Sequence, residues 1–155
     1  MQLFWINDRI AVATRPRGGD WLRDDLADVQ RNGVRTVVSC LTRAEAAELE
    51  LTAESETARS LGLEFVQIPI TDFGIPEPGV VEDGLSRITT SGVSIGKVVI
   101  HCRQGLGRSP LVAAAMLVRG GMKPAAAWDA VGRARGRSVP ETEEQRLWLN
   151  RFATL

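Results

Sequence analysis

Cysteine is scarce in this chain: Cys40 and Cys102 are the only two among 155 residues. Two thiols cannot build the disulfide framework of a small secreted domain, so a reducing, cytoplasmic setting is expected. Histidine is scarcer still, with His101 alone. Net charge is absent, 19 basic residues balancing 19 acidic ones, so no strong field draws the chain to nucleic acid or an anionic membrane. No apolar run reaches bilayer-spanning length. The start, Met1 to Arg9, lacks the basic and apolar regions of a secretion signal. Neither a nucleic-acid nor a membrane partner is expected. Lysine is nearly missing (Lys97 and Lys123 beside 17 arginines), and nothing follows from that.

What is present reads as one domain over residues 1–155, expected to be a monomer and long enough to bury its apolar surface without staples. Leu3 to Ile6 and Ile10 to Ala13 read as two short strands around an Asn7-Asp8-Arg9 turn. Asp20 is a candidate N-cap for a helix carrying Leu22, Leu26 and Val29, closed by Gly33. Strands follow at Val34–Cys40, Leu63–Ile68 and Gly96–His101. Residues 43–61, with five glutamates, read as one solvated helix. Further helices carry Val81, Leu85 and Ile88, then Leu111 to Leu117, then Trp128 and Val131, then Leu147, Trp148 and Phe152 from about Thr142. Trp5, Trp21, Trp128 and Trp148 sit in apolar patterns and are expected in the core. Alternating strands and helices predict an α/β fold, a central and mostly parallel sheet flanked by helices.

The chemistry concentrates in Val98 to Ser109. Cys102 ends a strand, where parallel sheets bind ligands, and the chain then enters a helix N-terminus that favours an anion. Gly105 and Gly107 let the loop curl into a nest of N–H groups. Arg103, Gln104, Gly105, Leu106, Gly107 and Arg108 are the expected phosphate binders, Arg108 holding two oxygens in one plane. The same field stabilises a Cys102 thiolate as nucleophile. A bare Cys-x5-Arg spacing is a weak signal among 17 arginines; His101, the two glycines, Ser109 and the strand-loop-helix setting make it specific.

His101-Cys102-x5-Arg108-Ser109 resembles the signature of the cysteine-dependent protein tyrosine and dual-specificity phosphatases. The chain is similar to the cyclin-dependent kinase inhibitor 3-like phosphatases and small bacterial relatives. That similarity extends through Leu111–Ala114, Pro69–Pro76 and Glu144-Gln145. The resemblance implies that fold, a metal-independent and cofactor-independent hydrolysis of phosphorylated protein, and a cysteinyl-phosphate intermediate. It implies that His101 orders the loop and that Ser109 hydrogen-bonds the departing sulfur.

A phosphate ester needs its leaving oxygen protonated, which suits a carboxylic acid on an adjacent loop. Asp72, 30 residues before Cys102 and followed by Pro76, matches the family's general acid; Glu77 and Asp83 are rivals. Gln145 is a candidate to position the hydrolytic water, although Thr142-x-x-Gln145 is also a capping box, the favoured reading. Cys40 ends a strand near the Cys102 strand and is a candidate redox partner, as in some relatives. Arg103 is the only other basic residue of the loop, and Arg15 and Arg17 are read as solvated rather than lining the entrance. Two alternatives stay open here: a rhodanese-like sulfurtransferase, and a phosphopeptide-binding module without turnover.

Overall fold

The computed structural model describes residues 1–89 and 96–155. The expected β-branched stretches form one mixed sheet: β1 (Leu3–Trp5), β2 (Ile10–Ala13), β3 (Val34–Ser39), β4 (Glu64–Gln67) and β5 (Lys97–His101), in the order β1-β2-β5-β3-β4. Among the described strands only the β1–β2 pair is antiparallel. The register aligns Ala13, His101 and Ser39, so the loops leaving β2, β5 and β3 gather at one edge.

Seven α-helices are described: α1 (Leu22–Arg31), α2 (Arg43–Glu48), α3 (Glu54–Ser60), α4 (Val80–Thr89), α5 (Arg108–Arg119), α6 (Pro124–Arg135) and α7 (Glu143–Phe152). Strand alternation divides the core into two layers. Val12, Val38, Val98 and Ile100 pack with Leu85, Leu111, Val131 and Leu149, from α4 to α7. Ala11, Val37 and Val99 pack with Leu22, Leu26 and Val29 of α1 and Ala58 of α3. Pro110 sits in the first turn of α5, where its missing N–H costs nothing. Among the described residues no helix is long and apolar enough to cross a membrane.

Three expectations need correction. Residues 43–61 form two helices, because the chain leaves helical geometry at Glu50 (φ 57°) to bury Leu51 in the α1 layer. Asp20 is no N-cap; it lies in a 3-10 turn, Gly19–Trp21, that runs into α1 without a side-chain cap. Of the tryptophans Trp128 is buried and Trp5 and Trp148 pack against the core, so it is Trp21 that departs. Trp21 is 56% exposed with the Arg17 guanidinium 4.5 Å above its ring, Trp148 stacks at 5.0 Å on Phe152, and Trp5 is half-buried.

Candidate active site

Alternation along β5 sends His101 toward the α1–α3 layer and Cys102 toward α5. The Cys102 sulfur accepts the Gly105 N–H at 3.3 Å and lies 3.2 Å from Ser109 Oγ. Four successive loop carbonyls are tied from outside. The Cys102 carbonyl accepts from His101 Nδ1 at 3.2 Å and the Arg103 carbonyl from the Arg15 amide at 3.3 Å. Those of Gln104 and Gly105 accept from Arg135, at 3.1 and 3.0 Å. A trans peptide points its N–H opposite to its carbonyl, so this outward pull turns the loop amides inward. Gly105 takes a left-handed φ of 76°, and a Cβ there would stand 3.0 Å from the Ala13 carbonyl oxygen. Gly107 does not supply curl, because its φ is −123°. It supplies room, since a Cβ there would meet the side chains of Gln145 and Glu141 at 3.3 Å.

Arg108, 2% exposed, opens α5 with its fork already held. Nη1 donates to Glu45 Oε1 at 2.6 Å and to the Ile70 carbonyl at 2.9 Å. Nη2 reaches Glu45 Oε2 at 3.0 Å and Asp72 Oδ1 at 3.2 Å. Burial pushes the Glu45 carboxyl up, but hydrogen bonds from Arg108 and Thr42 outweigh it and hold the group below the ordinary carboxylate range. Burial works against the guanidinium charge, yet Glu45 and the negative groups around it keep Arg108 above its usual value.

Asp72 and Phe73 occupy a turn closed by Gly74 N–H donating to the Thr71 carbonyl at 2.8 Å. Phe73 has φ 61° at a turn position that ordinarily takes glycine, and its side chain is 62% exposed. A cavity of about 50 Å³ is lined by Asp72, Phe73, Cys102, Gly107, Arg108 and Glu141, together with Arg103 and Gln104. Cys102, Arg108, Asp72 and the loop are therefore brought together as the sequence suggested. The rival acids are not: Asp83 pairs with Arg87 on α4 and Glu77 does not line the cavity.

Gln145 departs from the favoured reading. Its amide N–H is capped by Thr142 Oγ1 at 3.1 Å, but its side chain does not return to complete a capping box. Nε2 donates to the Gly74 carbonyl of the acid loop at 3.1 Å, and Oε1 is buried without a partner. The Arg103 guanidinium turns to Glu48 at 3.6 Å. Arg17 holds the buried carboxylate of Asp25 at 2.7 Å, so it does not face the cavity, and the Arg15 guanidinium donates to the Pro16 carbonyl. Cys40 is fully buried in the same core layer as Cys102; burial, with the Cys102 charge adding, pushes its thiol well above the ordinary range. Among the described residues no group of three or more His, Cys, Asp or Glu gathers to hold a metal ion.

Four residues escaped the sequence reading. Glu45, Glu54 and Arg135 hold the site from distant segments. Glu141 enters the cavity, where burial and the neighbouring Asp72 raise its carboxyl while Arg108 opposes them. Only Glu45 left a local signal, the Thr42-x-x-Glu45 capping box of α2.

Residues 11–122 match the family described as a polymorphic toxin system DSP-PTPase phosphatase. The chain belongs to that family. Its relatives extend this into the cysteine-dependent phosphatase superfamily. Rat cyclin-dependent kinase inhibitor 3 is 28% identical over 133 residues, covering 84% of this chain and 63% of the relative. A probable protein tyrosine phosphatase type IVA A of Dictyostelium discoideum is 32% identical over 66% of this chain and 60% of its own. The chain thus spans less than two thirds of the length of these relatives. The bovine protein tyrosine phosphatase type IVA 3 is 30% identical, over 79% of this chain and 67% of the relative. Among solved structures, Tk-PTP in its active form superposes with a TM-score of 0.81 at 28% identity, covering 98% of this chain and 96% of that one. Kinase associated phosphatase, solved with its catalytic cysteine replaced by serine, shares the fold at a TM-score of 0.83 and 24% identity, over 94% of this chain and 85% of its own.

Proposed function

We propose that the protein is a metal-independent phosphoprotein phosphatase acting on phosphotyrosine, with phosphoserine and phosphothreonine as further substrates. The observation that carries the reading is a cysteine sulfur at the focus of inward-turned amides, beside an arginine fork pre-aimed by a carboxylate. Amides and guanidinium supply the positive field that phosphoryl transfer needs.

In the first step the Cys102 thiolate attacks phosphorus, the Sγ–P bond forming as the ester P–O bond breaks, while Asp72 gives its proton to the leaving oxygen. Three of the five Arg108 N–H groups donate hydrogen bonds at rest, and Asp72 Oδ1 stands 3.2 Å from Nη2 as an ion pair. A phosphate that takes the Asp72 position on Nη2, together with the free Nε–H, frees the acid as it binds. In the second step Asp72 takes a proton from water as that water attacks phosphorus. The Sγ–P bond breaks, and Ser109 Oγ hydrogen-bonds the departing thiolate. The unpartnered Oε1 of Gln145, beside Gly107, suits the hydrolytic water. Phe73 at the cavity mouth offers a face to an aromatic ester, which favours phosphotyrosine.

The reading includes a cytoplasmic monomer with phosphorylated proteins as partners and no nucleic acid or membrane, in line with zero net charge. Sulfur transfer would leave Asp72 without a task, and a binding module would not need acid, nucleophile and arginine together. The test is hydrolysis of para-nitrophenyl phosphate and a phosphotyrosine peptide in a chelator. Metal-independent turnover supports the reading; persulfide transfer without phosphatase turnover overturns it.

A further inference from the structure

His101 is fully buried, and both of its ring nitrogens face groups that accept hydrogen bonds. Nδ1 lies 3.2 Å from the Cys102 carbonyl oxygen. Nε2 lies 2.7 and 2.8 Å from the two carboxylate oxygens of Glu54, itself only 3% exposed, at the start of α3. A carbonyl and a carboxylate can only accept, so the ring satisfies both contacts by carrying both protons. A buried glutamate on a surface helix of ordinary composition has no packing reason to be there; its partner supplies one.

We propose that Glu54 is a positioning residue for the nucleophile loop: its carboxylate is the counter-ion that keeps His101 an imidazolium, and the imidazolium clamps the Cys102 carbonyl. This rests on the reading of Cys102 as nucleophile. Holding that carbonyl toward the α1–α3 layer turns the Arg103 N–H the other way, into the loop. The His101 and Cys102 side chains leave the strand on opposite faces, so the ring acts on the nucleophile through this carbonyl and the loop it fixes, not by contact with the sulfur. The charged groups that act on the ring are Glu54 from α3, which favours the cation, and Arg108 from α5, which opposes it; the sheet neighbours Ala13 and Ser39 are uncharged. Burial opposes the cation most, and Glu54 and the Cys102 carbonyl together outweigh burial and Arg108.

His101 is the only histidine of the chain, so a protein labelled with ¹⁵N-histidine, bearing no histidine tag, gives one pair of ring signals. The parent is expected to show the imidazolium pattern at pH 7.5, about one unit above the ordinary histidine value. Glu54→Gln keeps hydrogen-bonding capacity and removes the charge. It is expected to give a neutral ring at that pH and to slow iodoacetamide alkylation of Cys102 at pH 6, located by peptide mapping, about five- to tenfold. Glu54→Asp should recover part of both. A neutral His101 in the parent at pH 7.5 overturns the proposal even if Glu54→Gln does not fold. So does a Glu54→Gln protein with a neutral ring and unchanged alkylation. Neither readout requires turnover, so absence of phosphatase activity would count against the function and leave this inference standing on its own result.

Discussion

The phosphate loop and residues 43–61 meet at the carboxyl end of β5 with opposite chemistry. The loop, Cys102 to Arg108, offers N–H groups, a guanidinium and a sulfur. The segment 43–61 offers two carboxylates, the half-buried Glu45 on the Arg108 fork and the buried Glu54 on His101. In the proposed reaction the first region would touch the anion and the second would not. Each glutamate fixes a cation at a site where burial alone would weaken its charge. On the proposed reading the cradle has two layers of opposite sign, and the outer layer sets the aim of the inner one.

Breaking the inner layer should cost most. Cys102→Ser is expected to abolish turnover, a loss of at least about 10⁴-fold in kcat, and Arg108→Ala to lose about 10³-fold in kcat/KM on para-nitrophenyl phosphate. Asp72→Asn comes next and depends on the substrate. The loss should approach about 10²-fold or more on alkyl phosphates and be much smaller on para-nitrophenyl phosphate, whose leaving group needs little protonation. A uniform loss would remove Asp72 from the acid role.

Breaking the outer layer should cost less and show a different signature. Glu45→Gln is expected to lower kcat/KM by roughly ten- to a hundredfold through misaimed Arg108, without changing the leaving-group dependence. Its pH behaviour separates the two carboxylate contacts. The Glu45 carboxyl is held below its ordinary value of 4.5, so its contribution to stability is present above that pH and lost as pH falls through the folded value. His101 is held above its ordinary 6.5, so its contribution is complete below 6.5 and lost as pH rises through the folded value. Thermal melts should show Glu45→Gln flattening the acid limb and leaving the alkaline limb alone.

The smallest expected effect is redox. We propose that peroxide converts the Cys102 thiolate to a sulfenic acid, which Cys40 then displaces with loss of water to form a disulfide. Non-reducing peptide mapping should find Cys40 linked to Cys102; a stable sulfinic Cys102 with no link would end that idea.

The same two regions explain what could be read in advance. The loop is contiguous, so its nucleophile, glycine and arginine appear in one line of sequence, and Asp72 follows from the next strand. Strand alternation gave five strands in the right places because β-branched runs are local signals. The outer layer is not local: Glu45 lies 63 residues from Arg108, Glu54 lies 47 from His101, and Arg135 lies 30 from Gly105. Nothing near Glu54 distinguishes it from the exposed Glu48 and Glu56. The break at Glu50 was equally hidden, because it depends on the α1 layer that receives Leu51. Thr42-x-x-Glu45 was legible as a cap but not as an arginine anchor, and Gln145 was read as a cap where its side chain serves the acid loop.

The central claim is that phosphate passes through Cys102. Protein mixed with a phosphotyrosine peptide in a chelator, quenched in acid and mapped by mass spectrometry, should carry a phosphoryl group on the Cys102 peptide, and Cys102→Ser should carry none and release no phosphate. Equal phosphate release by Cys102→Ser and the parent, with no adduct in either, would contradict the account.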